Sequence, residues 1–160
     1  MRMTLIDELI AELDSAHAAF LAALDGVTQE EFERRPPGEV TEGEERWPIL
    51  EVCWHLGQYD DYQRRTILAA TEGRPLPKNE PTKRPEYLNT PDQQREWLAQ
   101  SRRALVVMAS RLDEETLNRE FEGLNGRTVT ARGLLRWVAR HEQAHITQVE
   151  ALRSLPPEEH

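Results

Sequence analysis

The chain has 160 residues, of which 38% are hydrophobic and 31% are charged. A chain of this size and composition is expected to form one globular domain, because it has too few apolar residues for a second core. Its net charge of −9, without a cluster of lysine or arginine on one face, excludes nucleic acid and anionic membrane as expected partners.

The N-terminal segment is not expected to be a signal peptide, because acidic residues at positions 7, 8, 12 and 14 interrupt its apolar pattern. No later segment is apolar for long enough to span a bilayer, so we expect a cytoplasmic protein. Cys53 is the single cysteine and can form no intrachain disulfide. We interpret it as a structural thiol to the side of the apolar stripe of its helix.

The first long helix is predicted to begin after Thr4, which suits an N-cap, and to end at Gly26. Thr28 and Glu31 then have the spacing of a capping box, which predicts a short helix. The apolar stripe of the long helix consists of Leu5, Leu9, Leu13, Ala16, Phe20 and Leu24.

A second long helix is predicted from Pro48, after a Pro- and Gly-containing loop over residues 34–46. Its inward stripe consists of Val52, His55, Leu56, Tyr59 and Gln63 and continues toward Ala70. The segment from Gly73 to Thr90 contains four prolines and cannot be helical. We expect this long connection to cross an end of a helical bundle.

The third long helix is predicted to begin at Thr90 and Pro91 and to present Trp97, Leu98, Ser101, Leu105, Met108 and Leu112 on its inner face. A short helical turn is expected from Asp113, and Asn125-Gly126 predicts a tight turn of a small hairpin. Thr130 is the predicted cap of the fourth long helix.

These elements predict an all-α, up-down four-helix bundle with long crossing loops. We expect a single domain over residues 1–155 and a frayed C-terminal tail over residues 156–160.

The run His141-Glu142-Gln143-Ala144-His145 lies in the fourth long helix. Four residues of an α-helix place two side chains about 40° apart and one turn along the axis, a spacing that one metal ion can bridge. Leu134, Val138, Val149 and Leu152 recur around the same stripe, so both histidines are expected to face the interior. Buried imidazoles need a metal ion or a dense hydrogen-bond network.

His55 is a third inward histidine, and a bundle can bring the second and fourth long helices face to face. Three imidazoles would form an open metal site, whose fourth position takes water or a thiolate. A purely structural, hydrogen-bonded histidine cluster is the alternative. His17 lies on the shoulder of its helix and is interpreted as a boundary residue, and His160 as a solvated tail residue.

The same run matches the H-E-x-x-H pattern of zinc proteases, in which the glutamate is the general base. A protease needs a third ligand downstream, but the expected positions hold Gln148 and Ala151 and only 15 residues follow the motif. This argues against a protease. Glu142 lies about 100° around the helix from His141, so a solvated and a catalytic role both stay open.

Other polar and aromatic residues are candidates for the same site. The hydroxyl of Tyr59, and less directly that of Tyr62, could approach a metal-bound group, although core packing is an alternative. Gln148 could orient a metal ligand or form a simple core hydrogen bond. Trp54 is predicted on the opposite side of its helix from His55, where it is a candidate dimer contact.

The segment Trp47-Pro48-Ile-Leu-Glu-Val-Cys-Trp-His55-Leu56, together with His141-x-x-x-His145-x-x-Gln148, resembles the DinB-like superfamily. This superfamily includes YfiT-like metal-dependent hydrolases and thiol S-transferases that act with bacillithiol or mycothiol. The resemblance implies a divalent metal, Zn²⁺ or Ni²⁺, held by His55, His141 and His145, and a homodimer. The Pro-rich segment and the acidic loop before Trp47 depart from the family, so the substrate is not carried over.

The preferred hypothesis is a metal-dependent enzyme that acts on a small-molecule substrate. Its three-histidine site would activate water for hydrolysis or a low-molecular-weight thiol for S-transfer, with Tyr59, Glu142 and Gln148 as candidate catalytic residues. Two alternatives remain open: a non-catalytic metal- or ligand-binding bundle, and a structural dimer whose histidines only form hydrogen bonds.

Overall fold

The computed structural model describes residues 2–38, 46–80 and 82–156. Within these ranges the chain forms helices and one small hairpin, which confirms the predicted all-α bundle. The elements are α1 (Leu5–Ala23), α2 (Gln29–Glu33), α3 (Ile49–Glu72), α4 (Pro91–Ser110), α5 (Glu114–Asn118), β1 (Glu120–Glu122), β2 (Thr128–Thr130) and α6 (Ala131–Arg153). No helix of the described ranges has an apolar stretch long enough to cross a membrane.

The helix starts follow the predicted capping residues. The side chain of Thr4 accepts a hydrogen bond from the backbone of Asp7, and Thr28, Thr90 and Thr130 cap α2, α4 and α6 in the same way. Pro48 differs slightly from prediction, because it occupies the cap position and α3 begins one residue later. The hairpin is confirmed, with Phe121 opposite Val129.

Helices α3 and α4 are neighbours that run in the same direction. Trp54 stacks on Trp97 with 5.1 Å between ring centroids, and one to two turns further along both helices Asp60 bonds to Arg102. A simple up-down alternation would make these two helices antiparallel. The middle pair of the bundle therefore departs from the predicted alternation.

Helices α1 and α6 are also parallel neighbours. Glu12 pairs with Arg136 and, further along both helices, His17 contacts Glu142. The α3–α6 pair is antiparallel, since His55 lies near His145 while Tyr59, one turn later, lies near His141. The four long helices therefore run up, down, down and up in chain order.

The Pro-rich segment, described over residues 74–80 and 82–90, explains this topology. It does not merely cross an end of the bundle, as predicted, because α4 must begin at the same end as α3. The guanidinium of Arg84 donates to Glu51, in the first turn of α3, and the indole of Trp54 donates to the carbonyl of Thr82. The segment therefore runs back along the bundle and covers part of α3.

The core consists of two buried clusters stacked along the bundle. One centres on Leu13, Leu105 and Leu135, and the other on Phe20, Ile49 and Val149. Tyr59 packs against the first cluster and Trp47 against the second, and both contact His55. The histidines thus lie at the level where the two clusters meet.

Some predictions concern residues outside the described ranges. They are the central part of the predicted loop, residues 39–45, and the predicted tail beyond residue 156, including His160. The proposed domain boundary at residue 155 stays a prediction.

Candidate metal centre

Three histidines from two helices converge on one point. His55 comes from α3, while His141 and His145 lie one turn apart on α6. The Nε2 atom of His141 is 3.1 Å from that of His55 and 3.3 Å from that of His145. The three possible ligand atoms lie within 4.8 Å of one another. The structure therefore brings together the residues that the sequence singled out.

The spacing of these nitrogens suits a shared metal ion. Two nitrogens bound to one tetrahedral ion, each at the usual distance of about 2.05 Å, would lie about 3.3 Å apart. Hydrogen bonds among the three imidazoles explain these distances less well, because an imidazole nitrogen carries either one proton or one lone pair. The Nε2 atom of His141 faces two other imidazoles, and it can form a hydrogen bond with only one of them at a time.

Gln148 contacts the imidazole of His145 and fixes its tautomer. The Nδ1 atom of His145 lies 2.7 Å from the amide oxygen of Gln148 and donates its proton to that oxygen. In the neutral imidazole the Nε2 atom then carries the lone pair that faces the other histidines. This contact is the one that both roles considered for Gln148 require, so the role of orienting a metal ligand stays a prediction.

We expect Gln148→Ala to weaken Zn²⁺ binding about 10–100-fold, because the imidazole of His145 would lose the group that fixes its tautomer and orientation. Competition with a chromophoric chelator measures this affinity. Gln143→Ala is the matched control, since Gln143 is an exposed glutamine of the same helix. Equal affinities of the two variants for Zn²⁺ would contradict the orienting role.

His55 is also suited to be a neutral ligand. Burial, with a smaller contribution from His145, lowers the pKa of His55 to about 4. The imidazole is therefore unprotonated at neutral pH. Its ring packs against the indole of Trp47, with 4.9 Å between centroids, which fixes its direction.

Tyr59 lies beside the three histidines. Its ring centroid is 4.2 Å from that of His141 and 6.2 Å from that of His55. Burial raises the pKa of Tyr59 to about 12, so the phenol stays protonated and can donate a hydrogen bond at neutral pH. Tyr62 lines the adjacent pocket. Catalytic roles for both tyrosines stay predictions.

The possibility that Glu142 is solvated is wrong, because its exposed fraction is 1%. One carboxylate oxygen is 3.0 Å from the guanidinium of Arg102, and the other is 3.1 Å from Nδ1 of His17. The helical rotation of about 100° from His141 turns Glu142 toward α1 and α4, whose side chains bury it. His17 is half-buried, as a boundary residue should be, and lies outside the three-histidine group.

Arg102 is the centre of a buried ion cluster that sequence reasoning missed. Its guanidinium donates to Asp60 at 2.8 Å and to the carbonyl of Leu13 at 2.8 Å, and it pairs with Glu142. One side chain thus connects all four long helices. The sequence did carry a signal that Arg102 faces inward, because Arg102 follows Leu98 by four residues and precedes Leu105 by three, on the apolar face.

The charges in this cluster depend on one another. Burial raises the pKa of Asp60, and the nearby Arg102 opposes this effect. Burial by itself lowers the pKa of Arg102, but the carboxylates of Asp60 and Glu142 outweigh it and raise that pKa. The cluster holds α3 and α6, the two helices that carry the histidines, against α4.

A pocket of about 520 Å³ opens beside His55 and Tyr59. One wall is α3, and the outer wall includes Lys78, Asn79, Glu80 and Thr82 of the Pro-rich segment. Trp54 was predicted on the opposite side of its helix from His55, but both residues line this pocket. The prediction was wrong because consecutive residues of a helix are only about 100° apart, and Trp97 of α4 and Thr82 of the Pro-rich segment contact Trp54.

Cys53 is fully buried and packs within the second core cluster. Burial raises the pKa of its thiol, so Cys53 stays protonated and is suited to packing rather than to chemistry.

Comparisons with known proteins agree with this architecture. Residues 12–149 match the family model of the DinB superfamily. A crystal structure of a conserved protein from Enterococcus faecalis superposes with a TM-score of 0.68, covering 95% of this chain and 96% of that chain at 16% identity. At this identity the likeness concerns the fold. No curated protein matches the chain.

Proposed function

Since the chain belongs to the DinB superfamily, we propose that it is a metal-dependent enzyme whose Zn²⁺ or Ni²⁺ is held by His55, His141 and His145. The observation that carries the proposal is the convergence of three Nε2 atoms at separations that suit one ion. Three protein ligands leave a coordination position for a reactant, which is typical of catalytic rather than structural sites.

A divalent ion held there would supply Lewis acidity and would lower the pKa of a water or thiol in the remaining position. Protein side chains would orient the metal ligand and contact the reacting group. Gln148 keeps the lone pair of His145 directed inward, and the protonated phenol of Tyr59 can donate a hydrogen bond to a reacting group beside His141. The half-enclosed pocket beside His55 would admit the substrate.

The candidate catalytic residues do not all keep the same role in this proposal. Tyr59 is the proposed hydrogen-bond donor and Gln148 the proposed orienting residue. Glu142 is less suited to be a general base, because Arg102 and His17 occupy its two carboxylate oxygens. We assign it to holding α6 in place. Transfer of a low-molecular-weight thiol to an electrophile is preferred to hydrolysis on the family resemblance.

The experiment compares the wild-type protein, loaded with Zn²⁺ or Ni²⁺, with the His55→Ala variant. Each is assayed for conjugation of small thiols to 1-chloro-2,4-dinitrobenzene and for hydrolysis of p-nitrophenyl acetate. We expect a thiol-dependent rate in the loaded protein and at least about a 100-fold loss in the variant, because the reactant would lose its activating ion. Ester hydrolysis without thiol transfer would favour the hydrolase. Bound metal without either activity would favour a non-catalytic metal-binding bundle.

The predicted homodimer and the cytoplasmic location are part of the proposal. Light scattering coupled to size-exclusion chromatography measures the mass in solution. The mass of a monomer would contradict the homodimer part of the proposal.

A further inference from the structure

The pocket beside His55 collects most of the chain's tryptophans and tyrosines. Three of its four tryptophans, Trp47, Trp54 and Trp97, line this pocket, as do Tyr59 and Tyr62, two of its three tyrosines. Such rings offer flat apolar faces with polar edges. Trp47 and Tyr59 also pack against the core clusters, but Trp54, Trp97 and Tyr62 belong to neither cluster, which indicates a surface that recognises a ligand.

Two of these rings form a stacked pair in a fixed position. Trp54 and Trp97 lie 5.1 Å apart between ring centroids with 28° between their planes. The indole of Trp97 lies directly on α3 because Gly57 has no side chain, and a Cβ there would lie 1.9 Å from the indole nitrogen. Trp54 donates to the carbonyl of Thr82, which holds the pair against the Pro-rich segment.

The charges around the pocket do not suit a cation. Glu51 is paired with Arg84, and Asp61 is paired with both Arg64 and Arg65, so two of the acidic residues of the lining are already neutralised. Arg65 itself lines the pocket. Glu80, the third acidic residue of the lining, shares the pocket with Lys78 as well as Arg65, so the lining has no excess of negative charge that would favour a cation.

We propose that this pocket binds compounds that carry an uncharged, planar aromatic group, which packs against the Trp54–Trp97 pair. The further statement that the reacting atom of such a compound points toward His55 rests on the proposed function. Binding of the ring itself requires only the five aromatic side chains and the cavity of about 520 Å³, within the range of small-molecule sites.

The test uses 2-naphthalenemethanol and its saturated analogue, decahydro-2-naphthalenemethanol, in calorimetric titrations of the metal-free and Zn²⁺-loaded protein. We expect the aromatic alcohol to bind about ten-fold more tightly and to change the tryptophan fluorescence, because only a planar ring can stack on the indoles. Equal affinities for the two alcohols, or no binding of either, would overturn the proposal. Tighter binding of (2-naphthylmethyl)trimethylammonium would overturn the choice of an uncharged group.

Two pairs of variants locate the site. Trp54→Leu should lose about ten-fold in affinity for the aromatic alcohol, whereas Tyr87→Leu, at an exposed aromatic residue outside this pocket, should not change it. Gly57→Ala should displace Trp97 and give a similar loss, whereas Gly123→Ala, where a Cβ makes only ordinary contacts, should not. Unchanged affinity in Trp54→Leu would contradict the proposed stacking surface.

The outcomes separate this inference from the proposed function. Ring binding to a protein that takes up no metal would support the pocket and remove the metal-dependent enzyme. Metal binding by a protein that does not prefer the aromatic alcohol would support the metal-dependent enzyme and remove the aromatic pocket.

Discussion

His145→Ala is expected to reduce the bound Zn²⁺ from about one ion per chain to an amount that dialysis removes, because the site would keep only two of its three ligands. The loss of affinity should exceed the 10–100-fold effect expected from changing an orienting residue such as Gln148. Elemental analysis after equilibrium dialysis measures the metal content directly. Loading with Ni²⁺ provides a second test of the same site.

The control for this experiment is His17→Ala. His17 contacts the buried cluster through Glu142 but lies outside the three-histidine group, so this variant can lose stability without losing metal. Chelation should lower the melting temperature of the wild type and of His17→Ala, since an ion that binds only the folded state stabilises it by about 2.7 kcal/mol at 100 times Kd. Metal retained by His145→Ala, or none taken up by the wild type, would leave a hydrogen-bonded cluster.

Arg102→Met is expected to lower the free energy of unfolding by about 3–5 kcal/mol, the usual effect of removing one partner from a buried ion pair. The physical reason is that Asp60 and Glu142 would remain buried without their cation, and the carbonyl of Leu13 would lose its donor. Urea unfolding of the metal-free proteins measures the difference. A loss of this size is a large part of the stability of one domain.

Arg103→Met is the matched control, because Arg103 is an exposed neighbour on the same helix and its replacement should change stability by less than about 0.5 kcal/mol. Adding Asp60→Asn and Glu142→Gln to Arg102→Met should restore part of the loss, since the uncompensated charges are then removed. A loss below about 1 kcal/mol in Arg102→Met would mean that the cluster contributes little to the fold.

Much of the secondary structure could be predicted because its signals are local. Thr4, Thr28, Thr90 and Thr130 cap helices through bonds to residues three positions further along the chain. Asn125-Gly126 forms the tight turn of the hairpin, where the glycine has a positive φ of 78°.

The candidate site was predictable in its residues but not in its setting. The i, i+4 spacing of His141 and His145 and the apolar stripe around His55 are properties of single helices, so the sequence indicated all three imidazoles. The surroundings of Trp54 and Glu142 depend on α4 and α1, which the helical period of their own elements cannot describe.

The sequence by itself determined the helices, their caps and the three inward histidines, because each depends on backbone geometry and on the periodicity of neighbouring residues. Only the tertiary structure decided that α3 and α4 are parallel, that Arg102 joins four helices, and that three tryptophans line one pocket. These features depend on contacts between residues tens of positions apart, such as Asp60 with Arg102 and Thr82 with Trp54. Such contacts arise from the packing of whole helices and of the Pro-rich segment, and the local pattern shows at most that a residue such as Arg102 faces inward, not which partner it meets.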